Sequence, residues 1–152
     1  MTPHTLSMKL ITPERAVALV EAVGVTLPIA DGDVTILPEH VSYIGALRAG
    51  EVIVHSSDGS TESFAVSGGF VVFDANELSV LADTAERAID IDMERAEQAR
   101  VRAEALRNER VSMGEEEYAQ VAAALEKELA RIKIARKHRS RVAPNVISRE
   151  DH

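Results

Sequence analysis

Apolar and polar residues alternate along the first half of the chain, whereas apolar residues recur every three or four positions along the second. In the first half, Leu6-Ser7-Met8-Lys9-Leu10 and Val52-Ile53-Val54-His55 are short β-rich runs, and Gly24-Val25-Thr26-Leu27-Pro28 adds another. Turn signals separate them at Asp31-Gly32, Ala49-Gly50, Asp58-Gly59 and Asp74-Ala75-Asn76. Between Glu51 and Asp83 the pattern predicts four short strands, Val52–Ser56, Glu62–Val66, Phe70–Phe73 and Leu78–Leu81, in an antiparallel meander. Many short strands at such spacing point to a sandwich or flattened barrel. Ser67-Gly68-Gly69-Phe70 is rich in glycine, but no Gly-Lys-Ser/Thr follows and no helix opens there. It is expected to be a bulge or tight bend between strands rather than a phosphate loop.

The period changes near Asp83 to Asp90. From Asp90 to Arg110 the chain is dominated by Ala, Glu, Arg and Leu, strong helix formers. Asp90 is the expected N-cap, with Asp92 and Glu94 near the positive end of the helix dipole. Ala96, Ala99, Ala103 and Leu106 make one apolar stripe, and their small side chains allow a partner helix to approach closely. Ser112 and Glu115 form a capping box that opens a second helix with the stripe Tyr118, Val121, Leu125, Leu129 and Ile132. The short connection predicts antiparallel neighbours. The tail from Lys137 is basic, contains Pro144 and is expected to be disordered. The predicted fold is therefore α+β: an N-terminal antiparallel β-sandwich or flattened barrel (1–84), a hinge (85–89), a C-terminal antiparallel helical hairpin (90–136) and a disordered tail (137–152).

Composition narrows the function classes. The chain of 152 residues has 45% apolar and 28% charged residues, as a globular protein does, and no Cys, which excludes disulfides and Cys-based zinc sites. No stretch has the order of a signal peptide, and Ser63 to Phe73 is far too short to cross a bilayer, which needs about 20 residues. Direct insertion into a membrane is not expected. The net charge of −8 resides in residues 1–84, with 3 Lys+Arg against 11 Asp+Glu; residues 85–152 have 14 against 14. An acidic half argues against nucleic-acid binding.

No catalytic centre is legible. The His residues at 4, 40, 55, 138 and 152 lack metal-ligand spacing. His40, after Pro38, reads as an ordinary loop or core imidazole; an enzyme using it is the alternative. Charge chemistry concentrates on the hairpin. Asp92 and Arg95 share a helical face, Arg102 lies roughly 10 Å further along, and Lys127 and Arg131 on the returning helix are placed to face them. An anion or phosphate fits such a cluster near a helix N-terminus. The plainer alternative is a solvated face on which the arginines pair with Glu94, Glu128 and their neighbours.

Four strings in order carry a family resemblance: Met8-Lys9-Leu10-Ile11-Thr12-Pro13-Glu14, Ile36-Leu37-Pro38-Glu39-His40, Ala65-Val66-Ser67-Gly68-Gly69-Phe70, and Val80-Leu81-Ala82-Asp83-Thr84-Ala85-Glu86-Arg87-Ala88. Over roughly residues 7–136 the chain resembles the epsilon subunit of F-type ATP synthases. Thr35, Glu39 and Ser42 stand where members usually carry Gly, Gly and Pro.

The resemblance implies a sandwich followed by a helical hairpin, in a non-catalytic subunit with no required cofactor. It implies a peripheral place on the cytoplasmic face of the cell membrane, coupling ion-driven rotation to ATP synthesis and inhibiting hydrolysis. Its implied partners are the gamma subunit and the c-ring, with Asp33 and His40 as candidates for the c-ring contact, and the alpha/beta head when the hairpin extends. ATP is implied as a regulatory ligand of the folded hairpin: Ile91, Asp92, Arg95 and Ala96 match the family's motif, with Glu86 before it and Arg102 after. Arg131 matches one arginine of the second helix, and Lys127 replaces another, keeping the charge without the planar fork. A free-standing ATP-sensing module outside any rotor is the alternative function.

Overall fold

The computed structural model describes residues 4–109 and 113–142. Eight strands precede two helices: β1 (Leu6–Ile11), β2 (Ala16–Ala22), β3 (Gly24–Ile29), β4 (Gly32–Ile36), β5 (Tyr43–His55), β6 (Thr61–Asp74), β7 (Glu77–Ala82) and β8 (Ala85–Arg87), a 3-10 turn at Ala88–Asp90, then α1 (Met93–Asn108) and α2 (Glu115–Val142). The predicted sandwich followed by a helical hairpin is the observed architecture. Strand order is β2-β1-β7-β6-β5-β3-β4, with β8 on β6; β1 and β7 run parallel and the other pairs antiparallel.

The ribbon of β5 and β6 builds both sheets. Its register is unbroken from Tyr43↔Phe73 to His55↔Thr61. Yet Val52, Val54, Phe64 and Val66 face the core at one end, and Leu47, Val71 and Phe73 at the other. The buried positions change from even to odd numbers between the two ends. The ribbon therefore folds over at its middle and passes from one sheet of the sandwich to the other. Gly68 (φ +126°) and Gly69 (φ +129°) lie at that fold. Below it β6 pairs with β7 from Gly69↔Ala82; above it β6 pairs with β8 from Val66↔Ala85.

Several expectations need correction here. Glu62–Val66 and Phe70–Phe73 are parts of one strand, and the glycines bend that strand instead of separating two. The expected strand Val52–Ser56 is, as far as His55, the end of the long β5, and Ala49-Gly50 lies inside it. Strand β2 carries no clean alternation, and β4 alternates over only Asp33-Val34-Thr35-Ile36; neither was among the expected strands. The segment 85–89, expected as a hinge, is β8 and the start of the 3-10 turn.

The helix start also moves. Asp90 ends the 3-10 turn and Ile91 is extended, so the N-cap is Asp92, whose carboxylate accepts from the amides of Glu94 (3.1 Å) and Arg95 (3.2 Å). Ser112 of the expected capping box lies outside the described residues. Helix α2 continues through Lys137 to Val142, because Ile134 and Ala135 bury against the sheet and Lys137 finds a partner there. The remainder of the expected tail, 143–152, lies outside the described residues. Of the two stripes, Ala96, Ala103, Leu125 and Ile132 are buried, while Leu106 and Leu129 are nearly half exposed. Arg136 donates to Glu97 at 3.0 Å, bringing the end of α2 beside the start of α1.

Candidate functional site

Helix α2 lies against β5 and β6, and a small apolar cluster fills the contact: Ala65, Ala88, Ile91, Ala96, Ile132, Ile134 and Ala135. Two of the motif residues, Ile91 and Ala96, are thus buried as packing groups, and Asp92 is spent on capping α1. Beside this cluster Arg131 is held between two carboxylates. Its Nε and Nη2 donate to the two oxygens of Glu86 at 2.9 and 3.3 Å, and Nη1 donates to Glu128 at 2.7 Å. Burial works against the Arg131 charge, but the hydrogen bonds it donates to Glu86 and Glu128, and their negative charges, outweigh it and raise its pKa. A two-pronged guanidinium–carboxylate contact of this kind is among the stronger side-chain pairs.

Lys127 and Arg131 line a cleft of about 330 Å³ with Arg15, Thr84 and Glu86. Arg102 instead borders a separate shallow depression with Glu94, Glu97, Gln98 and Val101, and its Nε donates to the Gln98 carbonyl of its own helix. Arg95 is exposed. The fold thus brings together Glu86, Lys127 and Arg131, and leaves Arg95 and Arg102 on the far helix. Arg131 pairs with Glu128 as the plainer alternative expects, but in a half-buried setting.

Asp33 and His40 are held by different neighbours. Asp33, on β4, accepts from Arg48 at 2.7 Å, and Arg48 also donates to the Ile29 carbonyl. His40 sits in the loop after β4, with Nδ1 2.8 Å from the Val41 carbonyl oxygen and its ring edge-on to Tyr43 and Phe73. The loop is tied down by Asn76, which accepts from the Glu39 amide and donates to the Thr5 carbonyl, and by Ser42 donating to Asp74 at 2.7 Å. Glu39, in the place of a usual glycine, takes φ +63°. The loop keeps a glycine-like conformation without the glycine.

One feature escaped the sequence reading. On the outer face of the sandwich Ile44 (76% exposed), Phe70 (61%), Val72 and Leu81 stand together, through the pairs Ile44↔Val72, Ala46↔Phe70 and Phe70↔Leu81. The signal was present in Phe70-Val71-Val72-Phe73, an unbroken apolar run in a strand with only one face on the core. Among the described residues no group of three or more His, Cys, Asp or Glu is placed to hold a metal ion, and no helix is long and apolar enough to cross a membrane.

Residues 5–88 match the ATP synthase, Delta/Epsilon chain, beta-sandwich domain, and residues 90–136 match the ATP synthase, Delta/Epsilon chain, long alpha-helix domain. The chain belongs to the ATP synthase delta/epsilon family. It is 42% identical over 131 residues to the ATP synthase epsilon chain of Moorella thermoacetica, covering 86% of this chain and 96% of the relative. It is 38% identical over 136 residues to that of Herpetosiphon aurantiacus, covering 90% and 98%. A chain in the cryo-EM structure of the Euglena gracilis mitochondrial ATP synthase, OSCP/F1/c-ring in rotational state 1, shares the fold, with a TM-score of 0.72 at 21% identity over 84% of this chain and 79% of that one. The resemblance carried by the four sequence strings is thus confirmed, and with it membership of a family of non-catalytic stalk subunits.

Proposed function

We propose that this chain works as a rotor subunit of an F-type ATP synthase, peripheral on the cytoplasmic face of the cell membrane. The sandwich (1–84) transmits rotation between the gamma subunit and the c-ring. The hairpin (90–136, with its extension to Val142) restrains hydrolysis when it leaves the sandwich for the alpha/beta head. The observation that carries the coupling role is the contiguous patch of Ile44, Phe70, Val72 and Leu81. Large apolar side chains gathered on one outer face mark a docking surface, since scattered exposure does not cluster them across three strands. We assign this patch to gamma. The loop bearing Leu37, His40 and Val41, with Asp33, is the candidate for the c-ring.

Phe70→Glu tests the assignment. Its side chain points away from the core, so the variant keeps its β circular dichroism. Co-purification with gamma is expected to fall at least tenfold, as a buried charge at an interface centre does. Full retention of gamma by a folded Phe70→Glu chain overturns the assignment.

The second reading, ATP as a ligand of the folded hairpin, rests on Ile91, Asp92, Arg95, Ala96, Glu86, Arg102, Lys127 and Arg131. The geometry favours a folded hairpin that needs no nucleotide. Glu86 and Glu128 already occupy the guanidinium that phosphates have to reach, so ATP must displace a carboxylate to bind. A ligand shifts an equilibrium only by its differential affinity for the two states. Titration calorimetry is expected to give no saturation by ATP below the millimolar range. Micromolar binding lost in Arg131→Ala reinstates the nucleotide switch.

A further inference from the structure

Three residues in one transverse row of the sheet meet helix α2. Glu51 on β5 is paired with Ala65 on β6, and Ala65 is paired with Glu86 on β8. All three present the same face. Ala65 is buried in the cluster with Ile134 and Ala135 of α2, Glu51 receives a hydrogen bond from Lys137 at 2.9 Å, and Glu86 holds Arg131.

The spacings agree. Adjacent strands lie about 4.8 Å apart, so Glu51 and Glu86 stand roughly 10 Å from each other across Ala65. Arg131 and Lys137 are separated along α2 by about 9 Å at 1.5 Å per residue. The helix therefore runs along the row, across the strands, with Ile134 and Ala135 midway over the small Ala65 and one cation reaching each flanking carboxylate. Each pair has one shielded member, Arg131 at 19% exposed and Glu51 at 15%, while Glu86 at 35% and Lys137 at 42% keep contact with water.

We infer that Glu51, Ala65 and Glu86 form a two-jawed clamp that holds the hairpin against the sandwich and sets how readily it is released. The inference rests on the proposed hairpin movement, but the clamp is a property of the isolated chain. Ala65 sets the distance of approach, and a larger residue there keeps the helix from reaching the jaws. Lys137 lies beyond the matched helical domain, so this jaw depends on the extension of α2 past Arg136. Ionic jaws also make the docked state sensitive to salt, which an apolar contact alone is not.

The test is a distance measurement on the full chain. The chain has no cysteine, so spin labels on Thr61→Cys and Arg139→Cys report only the separation of sheet and helix. Wild type is expected to give one dominant distance. Glu51→Gln with Glu86→Gln is expected to lower the ratio of docked to undocked chains by about fivefold or more, as 1 M salt does. Glu51→Lys alone is expected to open the hairpin and Glu51→Lys with Lys137→Glu to close it again. Ala65→Trp opens it without touching a charge. If Ala65→Trp opens the hairpin while the charge variants and salt leave the distance unchanged, the apolar contact alone holds it and the clamp is wrong. If no variant moves the distance, the clamp is equally wrong. Because gamma is absent from this experiment, a failed gamma assignment leaves its outcome untouched.

Discussion

The sandwich and the hairpin are stabilised in different ways. The sandwich has a continuous core of large side chains, with Met8, Leu10, Val25, Leu27, Ile36, Phe64 and Leu78 wholly shielded from water. It also contains every described residue with positive φ. The hairpin has no comparable core. Its cluster consists mainly of Ala and Ile, includes one residue borrowed from the sheet, and is flanked by ion pairs to Glu51, Glu86 and Glu97. A region built this way can leave its support without unfolding it. That is the property the proposed release of the hairpin needs and the proposed coupling role of the sandwich excludes.

The sharpest way to break this contrast is to hollow each region at its centre. Phe64→Ala is expected to cost about 3–5 kcal/mol and to shift the whole β transition in denaturant, since Phe64 is fully buried among the strands. Ile132→Ala is expected to cost about 2 kcal/mol, the low end for truncating a buried Ile, and to loosen the helices alone, leaving the β transition in place. Matching midpoint shifts of both signals in both variants make the two regions one cooperative unit and defeat the comparison. Gly69→Ala follows. A Cβ there collides with the carbonyl oxygen of Leu81, and φ is +129°, so the fold of the β5–β6 ribbon is lost at about 3 kcal/mol. A Gly69→Ala chain as stable as wild type removes the account of how the ribbon changes sheets.

What the sequence revealed follows the same division. The alternation of Leu6, Met8 and Leu10 identified a one-sided strand because only one face of β1 meets the core. The helical stripes were legible wherever the residues pack: Ala96 and Ile132 are buried as expected. Leu129 is not, because α2 turns a second face, Ile134 and Ala135, toward the sheet. No single-helix pattern encodes where a neighbouring sheet will lie. Gly68-Gly69 was ambiguous for a related reason: two glycines end a strand or bend one, and only the pairing of β6 with two different neighbours decides. Among the candidate site residues, Glu86, Lys127 and Arg131 lie together at one cleft, while Arg95 and Arg102 lie elsewhere. Glu51 and Lys137 were invisible, since their meeting depends on the register of three strands and on a helix longer than its apolar pattern.

A smaller effect sharpens the hairpin side. Asp92 satisfies two amides that begin α1, and its replacement by Ala is expected to cost about 1 kcal/mol. The loss should be confined to the first turn: faster hydrogen exchange at the Glu94 and Arg95 amides, with core amides of β1 and β7 unchanged. Asp90→Ala, by contrast, should leave both amides protected, because Asp90 caps nothing. Equal effects from the two variants restore Asp90 as the cap.

The smallest expected effect is a gain, on the sandwich side. Glu39 sits at φ +63°, where a side-chain-bearing residue costs about 1–2 kcal/mol and glycine costs nothing sterically. Glycine is also freer in the unfolded chain, which takes back about 0.5–1 kcal/mol. Glu39→Gly is therefore expected to stabilise the sandwich by about 0.5–1 kcal/mol. The carboxylate itself contributes little, since the His4 Nδ1 it approaches lies 4.0 Å away and both side chains are largely exposed. The Glu39 amide keeps its bond to Asn76 in the variant, so the loop stays anchored. Thermal unfolding followed in the β signal should shift upward by a few degrees, with the helical signal of the docked hairpin following only as far as it depends on the sandwich. A downward shift means that Glu39 is held in place by more than backbone geometry. The loop is then supported by its side chain, and the strain that distinguishes the sandwich from the hairpin is smaller than φ alone implies.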